Sequence, residues 1–238
     1  MDGKIERNAY LLAGPTASGK SAIAAVLARE MGAVILSADS MLVYKGMDLG
    51  TAKPPPEEIL EFGMGGVDVV TPAEEFSSGA WLRAASAWVR DVPESTPLVI
   101  VGGTGLYFSA LLRGLDRKWE KPPPEYPVIQ IDRALVRERI RARLDDMFMA
   151  GLEEEKLRLH EQYPVWSRTA ALAIGYRAGD DRERIFIRTC QLAKRQDTWF
   201  RHQATPLYVA PDPESVWSLW REKGPWLVTF PELPDLVE

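Results

Sequence analysis

The 238 residues contain a single cysteine, Cys190. One thiol excludes an internal disulfide and suits a reducing compartment. Ile185, Ile187, Thr189 and Leu192 surround it in a helical run, so it reads as a packed core thiol and not a catalytic one. No apolar run approaches the ~18 residues needed to span a bilayer. There is no internal repeat and no low-complexity tract. Residues 1–8 are polar and lead straight into an apolar run, with no leader pattern, which gives an expectation of a cytoplasmic protein. Basic charge is also short. The net charge is −5, which excludes a general nucleic-acid binder and confines any such contact to a local basic patch. What remains is an ordinary globular composition, 46% hydrophobic and 26% charged, sufficient for one large α/β domain.

An apolar run, 10–13, ends at Gly14-Pro-Thr-Ala-Ser-Gly-Lys-Ser21. The spacing is that of a P-loop, G-x-x-x-x-G-K-[ST]. Its glycines let the backbone turn tightly, and Gly14, Pro15, Thr16, Ala17, Ser18 and Gly19 form a nest of N–H groups for phosphate oxygens. Lys20 adds a positive charge, and Ser21 offers a hydroxyl to Mg²⁺. A helix over 21–31, with Ile23, Val26 and Leu27 inward, aims its positive end at the same point. A strand over 33–37 follows, so the chain opens β-loop-α-β and predicts a parallel sheet with right-handed crossovers.

Asp39 stands just past that second strand, where open parallel sheets bind ligands. From position alone, a catalytic carboxylate and a helix cap are equally good readings. Lys45, Thr51 and Lys53 are within reach of the same crevice. The pattern predicts a short helical stretch at 57–62, a strand at 67–70 and an amphipathic helix over 78–90 with Trp81 and Trp88 inward. A buried strand at 98–101 runs into Gly102-Gly-Thr-Gly-Leu-Tyr107, a second strand-glycine-helix junction that presents Thr104. Residues 113–126 are a proline-bearing connector and 128–131 a strand. A long helical pattern over 133–160 has Leu135, Ile140, Leu144, Met147 and Phe148 on its apolar side, with a break at Gly151. Arg133, Arg137, Arg139, Arg141 and Arg143 crowd its start; such arginines are commonly solvated or paired with acids. A final strong helix over 182–202 carries Arg184, Arg188 and Arg195 with Gln191 on one side and Lys194, Thr198 and Arg201 beside them. Such a basic helix suits phosphate or RNA. A strand at 207–210, a surface helix at 214–221 and a surface tail at 224–238 complete the chain.

These segments resemble, in order, the signatures of the tRNA dimethylallyltransferases. The P-loop is one. Ser37-Ala-Asp-Ser…Val43-Tyr-Lys-Gly-Met-Asp-Leu-Gly-Thr-Ala-Lys-Pro54 and Val101-Gly-Gly-Thr-Gly-Leu-Tyr107 are the next two. Arg141-Ala-Arg-Leu-Asp-Asp-Met…Gly151-Leu-Glu-Glu-Glu155, Ile174-Gly-Tyr-Arg177 and Gln191-Leu-Ala-Lys-Arg-Gln-Asp-Thr-Trp-Phe-Arg201 follow. The resemblance implies a P-loop NTPase-like α/β fold with a helical C-terminal part. It also implies transfer of a dimethylallyl group from dimethylallyl diphosphate to N6 of an adenosine beside the tRNA anticodon. The P-loop then holds a diphosphate leaving group, with Lys20, Arg177 and Mg²⁺ on Ser21 meeting its charge. Asp39 becomes the general base, and Thr104 helps position adenine and leaving group. Ser40, Met41, Leu42, Lys194, Arg195 and Gln196 join Asp39 against the tRNA.

The chain departs from the family pattern in three places. Gly65-Gly-Val-Asp-Val69 replaces a histidine-bearing block. The connector at 113–126 stands where the family inserts a helical subdomain that grips the anticodon arm. Ala178 follows Gly-Tyr-Arg where an acid or amide is usual. The short connector keeps two alternatives open, an adenine-nucleotide isopentenyltransferase and a small-molecule P-loop kinase. The default assembly is a monomer.

Overall fold

The computed structural model describes residues 4–114, 124–177 and 181–231. Strands β1 (Lys4–Ala13), β2 (Val34–Ser37), β3 (Leu98–Gly102), β4 (Glu125–Ile129) and β5 (Thr205–Val209) form a parallel sheet in the order β2-β3-β1-β4-β5. The P-loop strand β1 is central, and β2 and β3 end beside it. In-register pairs Leu12↔Val101 and Ser37↔Val101 bring three loops to one sheet edge.

Strand β3 is buried throughout because helices cover both faces of the sheet there, whereas Lys4-Ile-Glu-Arg-Asn8 of β1 is largely polar and Tyr208 of β5 is exposed. On one face Leu11, Leu36 and Ile100 pack with α3 (Ser78–Arg90), α4 (Gly105–Arg113) and α7 (Arg182–Gln203). Trp81 is fully buried there, stacked on Tyr107 at 4.4 Å, and its Nε1 donates to the Ser37 carbonyl. Trp88 packs on Gly65, where a Cβ would lie 2.3 Å from its ring. On the other face Leu12, Ile35, Val99 and Ile129 meet α1 (Lys20–Met31) and α8 (Pro213–Lys223). A third cluster joins α5 (Arg133–Met149) to α7 through Val136, Ile140, Leu144, Ile185 and Phe186. Gly151, at φ 100°, separates α5 from α6 (Leu152–Gln162), as its position predicts.

Four expectations change. Residues 67–70 are not a strand: Gly66 and Asp68 have φ of 76° and 51°, which bends the chain, and only an isolated bridge Tyr44↔Val70 forms. The tail at 224–238 instead contains β6 (Trp226–Pro231), antiparallel to residues 4–9 of β1, with Val228 and Phe230 buried. That partner is why β1 starts at Lys4 and not at Tyr10. Val26 and Leu135 are 39% and 37% exposed; the buried faces run through Ala24, Ala25 and Ala28 in α1 and Val136 in α5. The middle of the connector and the last residues, 115–123 and 232–238, lie outside the described residues, as does Ala178.

Candidate active site

The P-loop spans 14–21 between β1 and α1. Gly14 sits so close to Ser18 and Ile129 that a Cβ would meet them at 3.0 and 3.1 Å. Ala17 takes φ 62° without being glycine, and Gly19 takes φ 92° as the N-cap of α1. Holding Ala17 there stores roughly 1–3 kcal/mol of backbone strain, a pattern common at ligand clamps. No side chain caps α1. Its first N–H groups therefore suit an anion. Among the described residues the buried Ser18 hydroxyl finds no partner; the Lys20 Nζ donates to the Pro15 carbonyl at 3.3 Å, and Ser21 is exposed.

Asp39 and Thr104 come together from two other loops. The Thr104 amide donates to the Ala38 carbonyl at 3.1 Å, and the Ser40 amide donates to the Thr104 hydroxyl at 2.9 Å. This contact needs Gly102, where a Cβ would lie 2.1 Å from the Ala38 oxygen. The Thr104 hydroxyl in turn donates to Ser40 Oγ at 3.2 Å. Asp39 is half-buried, and one of its oxygens accepts the Met41 amide at 2.9 Å. Met41 lines the cleft beside it, whereas Leu42 serves the loop, its carbonyl accepting the Asp68 amide.

Helices α5 and α7 close the site from the side. Gln196 bridges two loops: its Oε1 accepts the Thr16 amide at 2.8 Å and its Nε2 donates to the Gly103 carbonyl at 3.0 Å. It thus braces the P-loop against the loop after β3. Arg195 is exposed but lines the cleft, and Lys194 is exposed and does not. Lys45 is exposed. Lys53 is turned inward, its amine shared by Asp48, Asp68 and the Tyr44 carbonyl, so it does not reach the phosphate cradle. Arg177 reaches the cleft and donates through Nη2 to the Leu172 carbonyl at 2.8 Å.

Two of the crowded arginines meet the P-loop, which a reading of the sequence does not single out. Arg143 donates to the Thr16 hydroxyl at 2.9 Å, and Arg139 donates to the Ser18 carbonyl at 3.1 Å. Spacing alone does not separate them, since Arg133, Arg137 and Arg141 also recur at i,i+4; what distinguishes Arg139 and Arg143 is that their shared face of α5 meets the P-loop. Arg141 instead pairs with Glu183, and Arg133 with Asp197. The charges interact: burial lowers Lys20 to about 8 against the pull of Asp39, and Arg143 lowers it further. Burial also lowers Arg143, again opposed by Asp39.

The resulting cleft encloses about 480 Å³. Thr16, Asp39, Thr104, Arg143 and Arg177 supply its polar side. Ile140, Leu144, Met147, Ile174, Ile185 and Leu192 supply an apolar wall. For a divalent cation the donors are modest. Among the described residues no cluster of three His, Cys, Asp or Glu forms a cage. Mg²⁺ does not need one, because it keeps waters and binds through one or two protein oxygens plus substrate phosphates. The exposed Ser21 hydroxyl beside the cradle fits that pattern.

Fold and site together define a P-loop α/β protein with an anion cradle, a carboxylate and an apolar wall in one cleft. Residues 42–127 and 118–203 match the family model described as IPP transferase, and residues 7–63 match isopentenyl transferase. The chain belongs to the IPP transferase family. It is 33% identical to the tRNA dimethylallyltransferase of Thioalkalivibrio sulfidiphilus, covering 81% of this chain and 87% of that protein. It is 31% identical to that of Mesorhizobium japonicum, covering 86% and 89%. The former alignment runs over 278 residues against the 238 present here. The two matched family segments meet at 118–127, within or beside the short connector. A shorter match, 49% identical over 119 residues, covers 39% of the Phenylobacterium zucineum tRNA dimethylallyltransferase. Among solved structures, the full-length tRNA isopentenylpyrophosphate transferase of Bacillus halodurans superposes with TM-score 0.77 at 21% identity, covering 91% of this chain and 95% of that one. The Staphylococcus epidermidis tRNA delta(2)-isopentenylpyrophosphate transferase gives 0.73 at 25%, covering 90% and 97%. Among the described residues no helix is long and apolar enough to cross a membrane.

Proposed function

We propose that this protein is a tRNA dimethylallyltransferase that moves the five-carbon group of dimethylallyl diphosphate onto N6 of the adenosine beside the anticodon, at position 37. The observation that carries the proposal is one cleft lined by Asp39, by Thr16 of the P-loop and by an apolar wall, with Asp39 near enough to Lys20 to favour its charge. A diphosphate fits the loop, and the allylic tail fits against Ile140, Leu144 and Met147. The N6–carbon bond forms as the allylic carbon–oxygen bond breaks. The N6 proton passes to Asp39, and the electron pair of the broken bond leaves on the diphosphate. Lys20, Arg143, Arg177 and the amides of α1 stabilise that developing charge. Thr104, fixed through Ser40, sets the acceptor loop against the cradle. The Ser21 hydroxyl would hold Mg²⁺, which would supply further positive charge at the leaving group. The residues given roles here all come from one chain, which supports a monomer, and a tRNA acceptor supports action in the cytoplasm.

The test combines protein, Mg²⁺, dimethylallyl diphosphate and tRNA, followed by nucleoside mass analysis. Dimethylallyl-adenosine in tRNA is expected. Product on AMP but not tRNA would return the nucleotide-specific alternative, and phosphoryl transfer from ATP would return the kinase. Asp39→Ala is expected to lower kcat by at least a hundredfold while leaving the affinity for inorganic diphosphate within about threefold, the range typical of a lost general base.

A further inference from the structure

Glu155 is 6% exposed although it stands in the first turn of α6. Its carboxylate faces a turn of the second signature loop. It accepts the amides of Asp48 at 3.2 Å, Leu49 at 3.0 and 3.1 Å, and Gly50 at 3.5 Å. The buried Tyr176 hydroxyl donates to it at 2.5 Å and accepts the Gly50 amide at 2.9 Å. The Tyr176 ring lies flat enough on Gly50 that a Cβ there would be 2.5 Å away. Burial and the neighbouring carboxylate both push the phenol well above its ordinary range, so it stays a donor. His160 adds a third tie through a 3.0 Å contact between Nε2 and the Tyr176 carbonyl.

The clamp joins two pieces of the cleft that no regular element connects. Gly50 and Thr51 line it on one side of the clamp, and Arg177, the residue after Tyr176, lines it on the other. A buried carboxylate is costly unless fully hydrogen-bonded, and this one is surrounded by the amides of one turn and the Tyr176 hydroxyl. We propose that Glu155 and Tyr176 are positioning residues for the transfer, holding Arg177 and the 48–51 turn at the distance the diphosphate requires. The inference rests on the transferase reading and adds a role for two residues that touch neither substrate. A displacement near 1 Å from such a change is enough to lower rate about a hundredfold.

The experiment is a double-mutant cycle of Tyr176→Phe with Arg177→Ala, each read as kcat, KM for dimethylallyl diphosphate and Tm. Tyr176→Phe keeps the ring and removes only the hydroxyl. Expected is a kcat loss of at least tenfold with KM changed less than threefold and Tm within a few degrees, and a further loss below twofold when Arg177 is already Ala. Glu155→Gln is expected to reproduce the kcat loss. Equal losses in both backgrounds, or kcat retained within twofold in Tyr176→Phe, would overturn the proposal. Should wild-type protein give no prenylated tRNA, the transferase reading fails. The same cycle is then read on the affinity for inorganic diphosphate by calorimetry, where coupling between positions 176 and 177 supports the clamp and additivity rejects it.

Discussion

Lys20 sits in a buried environment that disfavours its charge. Its amine is charged below about pH 8 and neutral above. Affinity for inorganic diphosphate is therefore expected to fall as pH rises through that value, measured by calorimetry across about pH 6.5–9.5, which brackets it on both sides. Stability moves oppositely. Between about pH 8 and the ordinary lysine value of about 10.5 the unfolded chain binds the extra proton, so Lys20 makes the fold more stable as pH climbs through that window. Lys20→Met removes the buried charge and is expected to raise Tm at pH 7 while abolishing diphosphate binding. A P-loop built only for packing would show the first effect without the second. Arg139 and Arg143 belong to the same scale. Among five crowded arginines, residue type gives no distinction; helical phase does, because only these two share the face that meets the P-loop.

At the scale of elements, glycine contacts set how closely the loops approach. Gly105 starts α4 under the ring of Trp199, where a Cβ would be 2.0 Å away. Gly105→Ala is expected to cost about 1–3 kcal/mol by overpacking and to separate α4 from α7, lowering kcat with it; denaturant unfolding and turnover measure the two effects. The strand β6 gives a second check. Phe230 is fully buried against the sheet, so Phe230→Ala is expected to cost about 3–5 kcal/mol, whereas a loose surface tail would lose almost nothing. Local pattern located α3 and α7 almost to the residue, since amphipathic period and capping act within the element. It read 224–238 as a tail because proline and acid dominate its end, and nothing local reveals that β1 has an open edge for 226–231.

For the whole molecule, the decisive feature is the combination of an intact cleft with a short connector. The net charge is −5, and residues 118–127 stand where the two halves of the family match meet. Fewer cations on phosphates mean fewer counterions released. Titrating tRNA at stepped salt is expected to show a slope of log K against log [salt] shallower than that of the longer Thioalkalivibrio sulfidiphilus relative. If the acceptor adenosine binds in the cleft as proposed, an isolated anticodon stem-loop is expected to match whole tRNA in kcat/KM within about threefold. A large preference for whole tRNA would place binding surface elsewhere on the chain.

The sequence by itself determined the P-loop, the sheet class, the order of the signatures and the placing of Asp39 and Thr104 at the carboxyl edge of the strands. Those follow from motifs and periods shorter than about twenty residues, where spacing and side-chain type suffice. Tertiary structure alone decided which basic residues meet the cradle. Lys53 is consumed by Asp48 and Asp68, Lys194 faces away, and Gln196 braces Thr16 to Gly103. It also decided that Glu155, more than a hundred positions from Asp48, holds the turn there. Such pairings depend on how helices pack across the sheet, and a linear pattern of charge carries no record of that packing.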